Sequence, residues 1–348
     1  MPNMRGSKVW PAGRVLQLEH SSTCLQGNPW EDPCDRLLSI YLPAAYDEQA
    51  EPYIALWDLA AFTNSGLGHV GWRNHGENLQ ERLDRLIGQG LMPPVVVIMP
   101  DCYTSLGGNQ YVNSPAVGCY ADYLVEELVP FVSRQLNVID HPKGRGIFGK
   151  SSGGFGALFH AMHYPETWGA MASHAGDAGF DLLFRPAFPD TCLNLSRYNG
   201  DIHQFIASFW KSKKPSGRDF TTLMVLAMAA TYDPDSMHPE NIRLPFDLQT
   251  CTLNPERWQH WLAYDPINLV PVYVEALRKS HGLYIDVGNS DQYNIQFGTR
   301  KLVGLMQSLD IACAFEEFEG SHSGIDWRLD HSLPFLAKAL KSAQDAAN

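Results

Sequence analysis

Three groups in this chain have the type and order that nucleophilic chemistry needs. The first is Ser151, at the centre of Gly149-Lys-Ser-Ser-Gly153, a G-x-S-x-G pattern. A serine hydroxyl attacks near neutral pH only with a base beside it, and the base needs a carboxylate to orient it. Downstream, Asp286-Val-Gly-Asn-Ser-Asp291 carries Asp291 past the end of an apolar run, and Glu319-Gly-Ser-His-Ser-Gly324 carries His322 between small residues. The order Ser151, Asp291, His322 suits a nucleophile, an acid and a base, each at a strand end. Asp286 is a rival acid but lies closer to a strand interior; Asp177, in His174-Ala-Gly-Asp177, is the stronger rival. His331 competes with His322 but falls in a predicted helix. The oxyanion of a tetrahedral intermediate needs two N–H donors. Ser152 at the start of the following helix would supply one, and Leu59 or Ala60, after an earlier strand, the other. Lys150 reads as a pocket-wall or surface residue.

The same letters admit two other readings. Gly144-Arg-Gly-Ile-Phe-Gly-Lys-Ser151 also fits G-x-x-x-x-G-K-[ST], a phosphate-cradling loop. That reading needs a strand ending before Gly144, where Asp140-His-Pro-Lys forms turns and makes a poor central strand. A Gly/Ser-rich turn without chemistry is the other alternative. His160 and His163, three apart on the helix after Ser151, read as packing or surface residues, and no metal site is expected.

These groups can meet only if the chain between them folds as alternating strands and helices. Residues 15–20 and 37–42 predict an antiparallel start. Residues 53–57 and 94–100 predict buried strands, the second the clearest parallel strand in the chain. Residues 78–87 predict a polar helix. Residues 121–136 predict a helix packed on a sheet through Leu124, Leu128, Phe131 and Val132. The Ser151 strand and helix follow, then strands near 170–173, 282–287 and 312–317, with helices over 301–309 and 333–340. Strand alternating with helix predicts an α/β fold with a mainly parallel sheet and helices on both faces. Between residues 176 and 265 the alternation stops. Helical pieces over 202–210 and 222–231 are separated by Pro/Ser/Asn-rich loops. The segment reads as a cap inserted after the sixth strand, leaving 1–175 and 266–348 as the core; a plain packing extension is the other reading. Five aromatics, Trp72, Tyr111, Trp210, Trp258 and Trp261, are candidates for the walls of a substrate pocket, with core packing open at each.

Composition limits the partners. The 348 residues carry a formal net charge of -12, which speaks against general affinity for nucleic acid or anionic membranes. No apolar run reaches membrane-spanning length, and Met1 to Trp10 lacks the apolar stretch of a signal peptide. The 7 cysteines form no C-x-x-C pair, so reduced thiols in the cytoplasm are expected. The sequence leaves room for a homo-oligomer.

Taken together, Tyr41-Leu-Pro-Ala-Ala-Tyr46, Met99-Pro-Asp101 with Ser105-Leu-Gly-Gly-Asn-Gln-Tyr111, the Ser151 motif, the Asp291 loop and Gly320-Ser-His322 resemble the esterase group of the α/β-hydrolases. That group includes S-formylglutathione hydrolase (esterase D), feruloyl esterases, mycolyltransferases and enterochelin esterase, the branch that looks nearest. The resemblance runs from about residue 37 to 340. It implies an α/β-hydrolase fold and ester hydrolysis through Ser151, Asp291 and His322, without a cofactor. Relatives usually carry His-Gly or Asp-Gly after the third strand, where this chain has Asp58-Leu59-Ala60, and its 176–265 segment is longer than in small relatives. The resulting expectation is a serine carboxylic-ester hydrolase acting through an acyl-enzyme on a small or aromatic ester. An acyltransferase using the same three residues and a non-catalytic ligand-binding relative are the alternatives.

Overall fold

The computed structural model describes residues 10–346. The first strand opens at Arg14.

Eight strands form one sheet: β1 (Arg14–Ser21), β2 (Asp35–Leu42), β3 (Ile54–Leu59), β4 (Val95–Met99), β5 (Arg145–Lys150), β6 (Ala170–His174), β7 (Gly282–Gly288) and β8 (Ala314–Phe318). Their spatial order is β1-β2-β4-β3-β5-β6-β7-β8. β2 runs antiparallel to both β1 and β4, and the remaining neighbours are parallel.

The central strands are apolar on both sides because both sides are covered. Side chains alternate across the sheet. Leu56, Phe148, Ala172 and Tyr284 therefore face one way, packed with Leu333, Leu336, Ala337 and Leu340 of the C-terminal helix Leu329–Asp345 and with Leu83 and Leu86 of the helix Leu79–Gly88. The spacing of the four C-terminal residues puts them on one stripe. The shorter helix starts at a capping box, in which Asn78 and Glu81 each accept from the other's backbone N–H. Trp57, Ile147, Met171 and Ile285 face the other way, into a larger core shared with the helix Ser152–His163. That helix is buried from Ser152 to Met162 with no polar stripe, since it lies between the sheet and further helices.

Residues 121–136 are helical, as the spacing predicts, but the middle, Tyr123–Leu128, is π-helix. Pro130 follows. It has no N–H to donate and its ring crowds the carbonyl four residues back, so the wider turn relieves a regular ladder. The stretch between β6 and β7 is helical, with Phe188–Leu195, Ile202–Lys211, Gly217–Tyr232 and Pro255–Leu262 as its longer pieces. Among the described residues no helix is long and apolar enough to cross a membrane.

Candidate active site

The phosphate-loop reading does not survive the fold. Arg145 to Lys150, which such a loop would wrap around a ligand, are strand residues paired on both sides. β5 instead ends in a sharp turn into the helix Ser152–His163. Ser151 sits in that turn at φ 57 and ψ -123, a conformation a non-glycine residue holds only when its surroundings impose it. Its backbone N–H donates to His174 O at 2.9 Å. The glycines on either side are required by space. A Cβ on Gly153 would lie 1.9 Å from Leu59 O, and one on Gly149 would lie 2.5 Å from the backbone of Gly153.

Asp291 and His322 meet. Nδ1 of His322 is 2.7 Å from Asp291 Oδ2, and both side chains are buried. The other carboxylate oxygen accepts the Tyr293 N–H at 2.8 Å, and the Tyr293 ring stands edge-on to the imidazole. The two loops are tied together. Asn289 N–H donates to Phe318 O at 2.8 Å and Ser290 N–H to Gly320 O at 2.9 Å. His322 N–H donates to the Gln292 side chain at 3.0 Å. A Cβ on Gly288 would come within 2.5 Å of Gly320 O, so the crossing admits only glycine. Two rival assignments have other partners: Asp286 is bonded to His174 and Arg328 inside the sheet, and His331 lies in the C-terminal helix beside Glu316.

Asp177 is close by but differently employed. Gln110 Nε2 donates to Asp177 Oδ2 at 3.2 Å and to Ser152 Oγ at 2.9 Å, linking the carboxyl to the first residue of the elbow helix. Burial pushes the Asp177 pKa up to about 7, with His322 and Gln110 pulling it down and Asp291 pushing it further up. The elbow and the loop carrying His322 share one neighbourhood, since Gly149 and Lys150 line the same cavity as Gly324, Ile325 and Asp326. No signal in the sequence ties residue 110 to residues 152 and 177; the fold alone brings them together.

Leu59 closes β3, paired with Gly149, and Ala60 is the first residue beyond the sheet. Ala60 O accepts the Tyr111 hydroxyl at 2.5 Å. Tyr111 is therefore no pocket wall; it is buried and ties down the loop after β3. Trp258 and Trp261 take the core-packing alternative. Both are interior, Trp258 donating to Asp181 at 3.0 Å and Trp261 packing edge-on against Phe184. At helical spacing they turn inward as core, the outcome that favours apolar rings over surface exposure. Trp72 is exposed in the loop after the short helix Gly66–Val70. Trp210 is half-exposed, donates to Ser105 O at 2.9 Å, and lines a groove with Thr63, Tyr103, Phe209 and Phe220.

The two helix histidines are packing groups. His160 Nε2 lies 2.8 Å from Tyr111 O while Nδ1 accepts from Trp168, and burial brings its pKa down to about 4. His163 bonds Phe159 O and stacks on the Phe159 ring. Asp58, near the end of β3, is buried and hydrogen-bonded to His69 Nδ1. Burial opposes the His69 imidazolium, but Asp58 outweighs it and raises the pKa.

Residues 32–331 match the model of the family described as Putative esterase. An uncharacterized protein of Bacillus subtilis, YbbA, is 24% identical over 163 residues, which is 42% of this chain and 59% of YbbA, so the match spans about three fifths of that relative. Among solved structures, a ferulic acid esterase superposes with TM-score 0.61 at 16% identity, covering 94% of this chain and 99% of the other. An S-formylglutathione hydrolase from Agrobacterium tumefaciens gives 0.58 at 17%, covering 95% and 96%. The enzyme of the same name from Staphylococcus aureus, FrmB, gives 0.57 at 13%, covering 94% and 99%. At these identities the likeness is one of fold, and that fold is the α/β-hydrolase. With the family model matched over residues 32–331, the chain belongs to the Putative esterase family.

Proposed function

We infer that the protein is a serine esterase that hydrolyses a small or aromatic ester through an acyl-enzyme. Ser151 Oγ attacks the carbonyl carbon while its proton passes to His322 Nε2. Asp291 holds Nδ1–H and stabilises the imidazolium. The C–O bond to the alcohol then breaks, and the alcohol leaves with the proton from His322. Water repeats the sequence on the acyl-Ser151 ester and releases the acid. The developing oxyanion is met by the Ser152 N–H, at the positive end of a 12-residue helix, and by the Ala60 N–H from the loop beyond β3. The helices of residues 176–265 act as the cap, and the groove beside Trp210 takes the flat face of an aromatic group.

The observation that carries this reading is the buried His322–Asp291 contact at 2.7 Å, held on loops bonded to one another, in the neighbourhood of a serine in a strained elbow. The test is stoichiometric labelling by a fluorophosphonate together with turnover of a short-chain p-nitrophenyl ester. Wild type should show both, and Ser151→Ala neither. Near-wild-type turnover by Ser151→Ala would overturn the assignment.

A further inference from the structure

A second space opens on the other side of the elbow. It is a partly enclosed cavity of about 190 Å³, bounded by Gly149 and Lys150 just before the nucleophile and by Gly324 to Asp326 just after His322. Its floor is the sheet face covered by the C-terminal helix, where Phe148 and His174 point. At about 30 Å³ per liquid water molecule, it has room for about six waters, or for a short carboxylate-bearing chain. Charged side chains are interleaved with apolar ones along its walls, unlike a pocket built only to exclude water.

The charges cancel pair by pair, with one exception. Asp58 is joined to His69, and Arg73 to Asp326. Arg82 is joined to Asp330 and lies 3.9 Å from Glu77. His174 is 2.8 Å from Asp286. Lys150 is the lining cation with no carboxylate within 4 Å and no hydrogen bond among the described residues. Burial lowers its pKa, while the more distant Asp326 and Asp291 oppose the shift. A partly buried ammonium without a partner is costly, and a partner in the cavity removes the cost.

We propose that this cavity is an anion subsite in which Lys150 receives a carboxylate carried by the ester substrate, so that the enzyme selects acidic esters. The proposal rests on the esterase reading and adds a substrate class to it. Its position between the residue before Ser151 and the loop after His322 places such a group a few bonds from the carbonyl under attack.

The test uses the full chain and two matched ester pairs. Mono-4-nitrophenyl glutarate against 4-nitrophenyl butyrate places the charge on the acyl half, and 4-carboxyphenyl acetate against phenyl acetate places it on the alcohol half. kcat/KM ratios within each pair are measured for wild type, Lys150→Gln and Lys150→Arg; a general loss caused by disturbing the elbow cancels in the ratio. In one of the pairs wild type should prefer the acidic ester by about tenfold or more, the scale of a charge-assisted hydrogen bond. Lys150→Gln should abolish the preference and Lys150→Arg should keep most of it. The pair that responds shows which half carries the anion. A wild type without preference in either pair, or a preference that Lys150→Gln leaves intact, overturns the proposal. Calorimetric titration of glutarate into Ser151→Ala, with and without Lys150→Gln, reads the subsite without turnover. Binding lost with Lys150 supports the subsite even if no ester is hydrolysed, a result that would count against the esterase reading alone. Hydrolysis of neutral esters, with neither acid preference nor glutarate binding, removes the subsite and leaves the esterase standing.

Discussion

The molecule contains two buried His–Asp pairs, and the proposed mechanism uses only one of them. In the first, His322 Nδ1 meets Asp291 at 2.7 Å, on a loop whose next residues, Gly324 to Asp326, line one cavity with Gly149 and Lys150 of the elbow. In the second, His174 Nδ1 meets Asp286 at 2.8 Å, and its Nε2 lies 2.8 Å from Ser332 Oγ. The second has the better-defined contacts, yet all three members are buried between the sheet and the C-terminal helix, and Arg328 also bonds Asp286. Ser332 sits inside a regular helix, with no strained turn to present its hydroxyl and no helix N-terminus aimed at an oxyanion. Contacts between side chains therefore do not define a catalytic group. In the proposed mechanism, access, a strained nucleophile and N–H donors at a helix start are what distinguish the first pair from the second.

The largest effect should divide the two arrangements outright. Ser151→Ala should lower kcat for a p-nitrophenyl ester by about 10⁴-fold or more, whereas Ser332→Ala should stay within about threefold of wild type. A comparable loss from Ser332→Ala would break the contrast. Stability should divide them the other way. His174→Ala leaves Asp286 with Arg328 and the Tyr284 hydroxyl and should cost about 3 kcal/mol in urea unfolding, while His322→Ala, at the ends of loops, should cost less than half as much and abolish turnover. Equal losses of stability would mean that both pairs are structural.

Two buried carboxyls give a finer test, with opposite signs. Asp177 binds its proton up to about pH 7, against an ordinary 3.8. Between those values the folded chain holds more protons than the unfolded one, so stability falls as pH rises. At roughly 1.4 kcal/mol for each pH interval of one, the loss reaches up to about 4 kcal/mol. Asp177→Asn should remove this slope, gaining on wild type in urea midpoint between pH 5 and pH 8. Burial raises the Asp286 pKa, but His174 and Arg328 outweigh it and hold it below the ordinary value. The stability from Asp286 is present above pH 4 and lost only as pH falls further, so Asp286→Asn should lose its penalty in strong acid. An Asp177→Asn variant that tracks wild type at both pH values would mean that this carboxyl is ionised throughout. The smallest effect concerns Ser332→Ala, expected to cost about 1 kcal/mol through the hydrogen bond lost at His174 Nε2.

Much of this architecture is legible in the order of residues. The apolar runs at 94–100 and 282–287 can only be buried strands, and the glycines around Ser151 announce a turn too tight for side chains. Asp291 and His322 can be placed at strand ends because short runs of small residues follow the strands before them. What cannot be read lies across the fold. Trp258 and Trp261 look alike as surface or core until the neighbouring helices are known, and Tyr111 is assigned by a carbonyl 51 residues earlier. The His174–Asp286 contact spans 112 residues, so in the sequence His174 is only a landmark on the way to Asp177. Lys150 can be recognised as a variable position of its motif, but whether it has a partner depends on charges contributed by strands, helices and loops far apart in the chain.

The crossing of the β7 and β8 loops has a mechanical consequence. Because their backbones are bonded to each other and no side chain fits between Gly288 and Gly320, Asp291 and His322, the proposed acid and base, are held as one body. A lesion that loosens either loop shifts the imidazole relative to the hydroxyl while leaving its carboxylate in place. Such an enzyme would retain its proton path yet lose its aim, and activity would disappear while the far wall of the sheet was still folded.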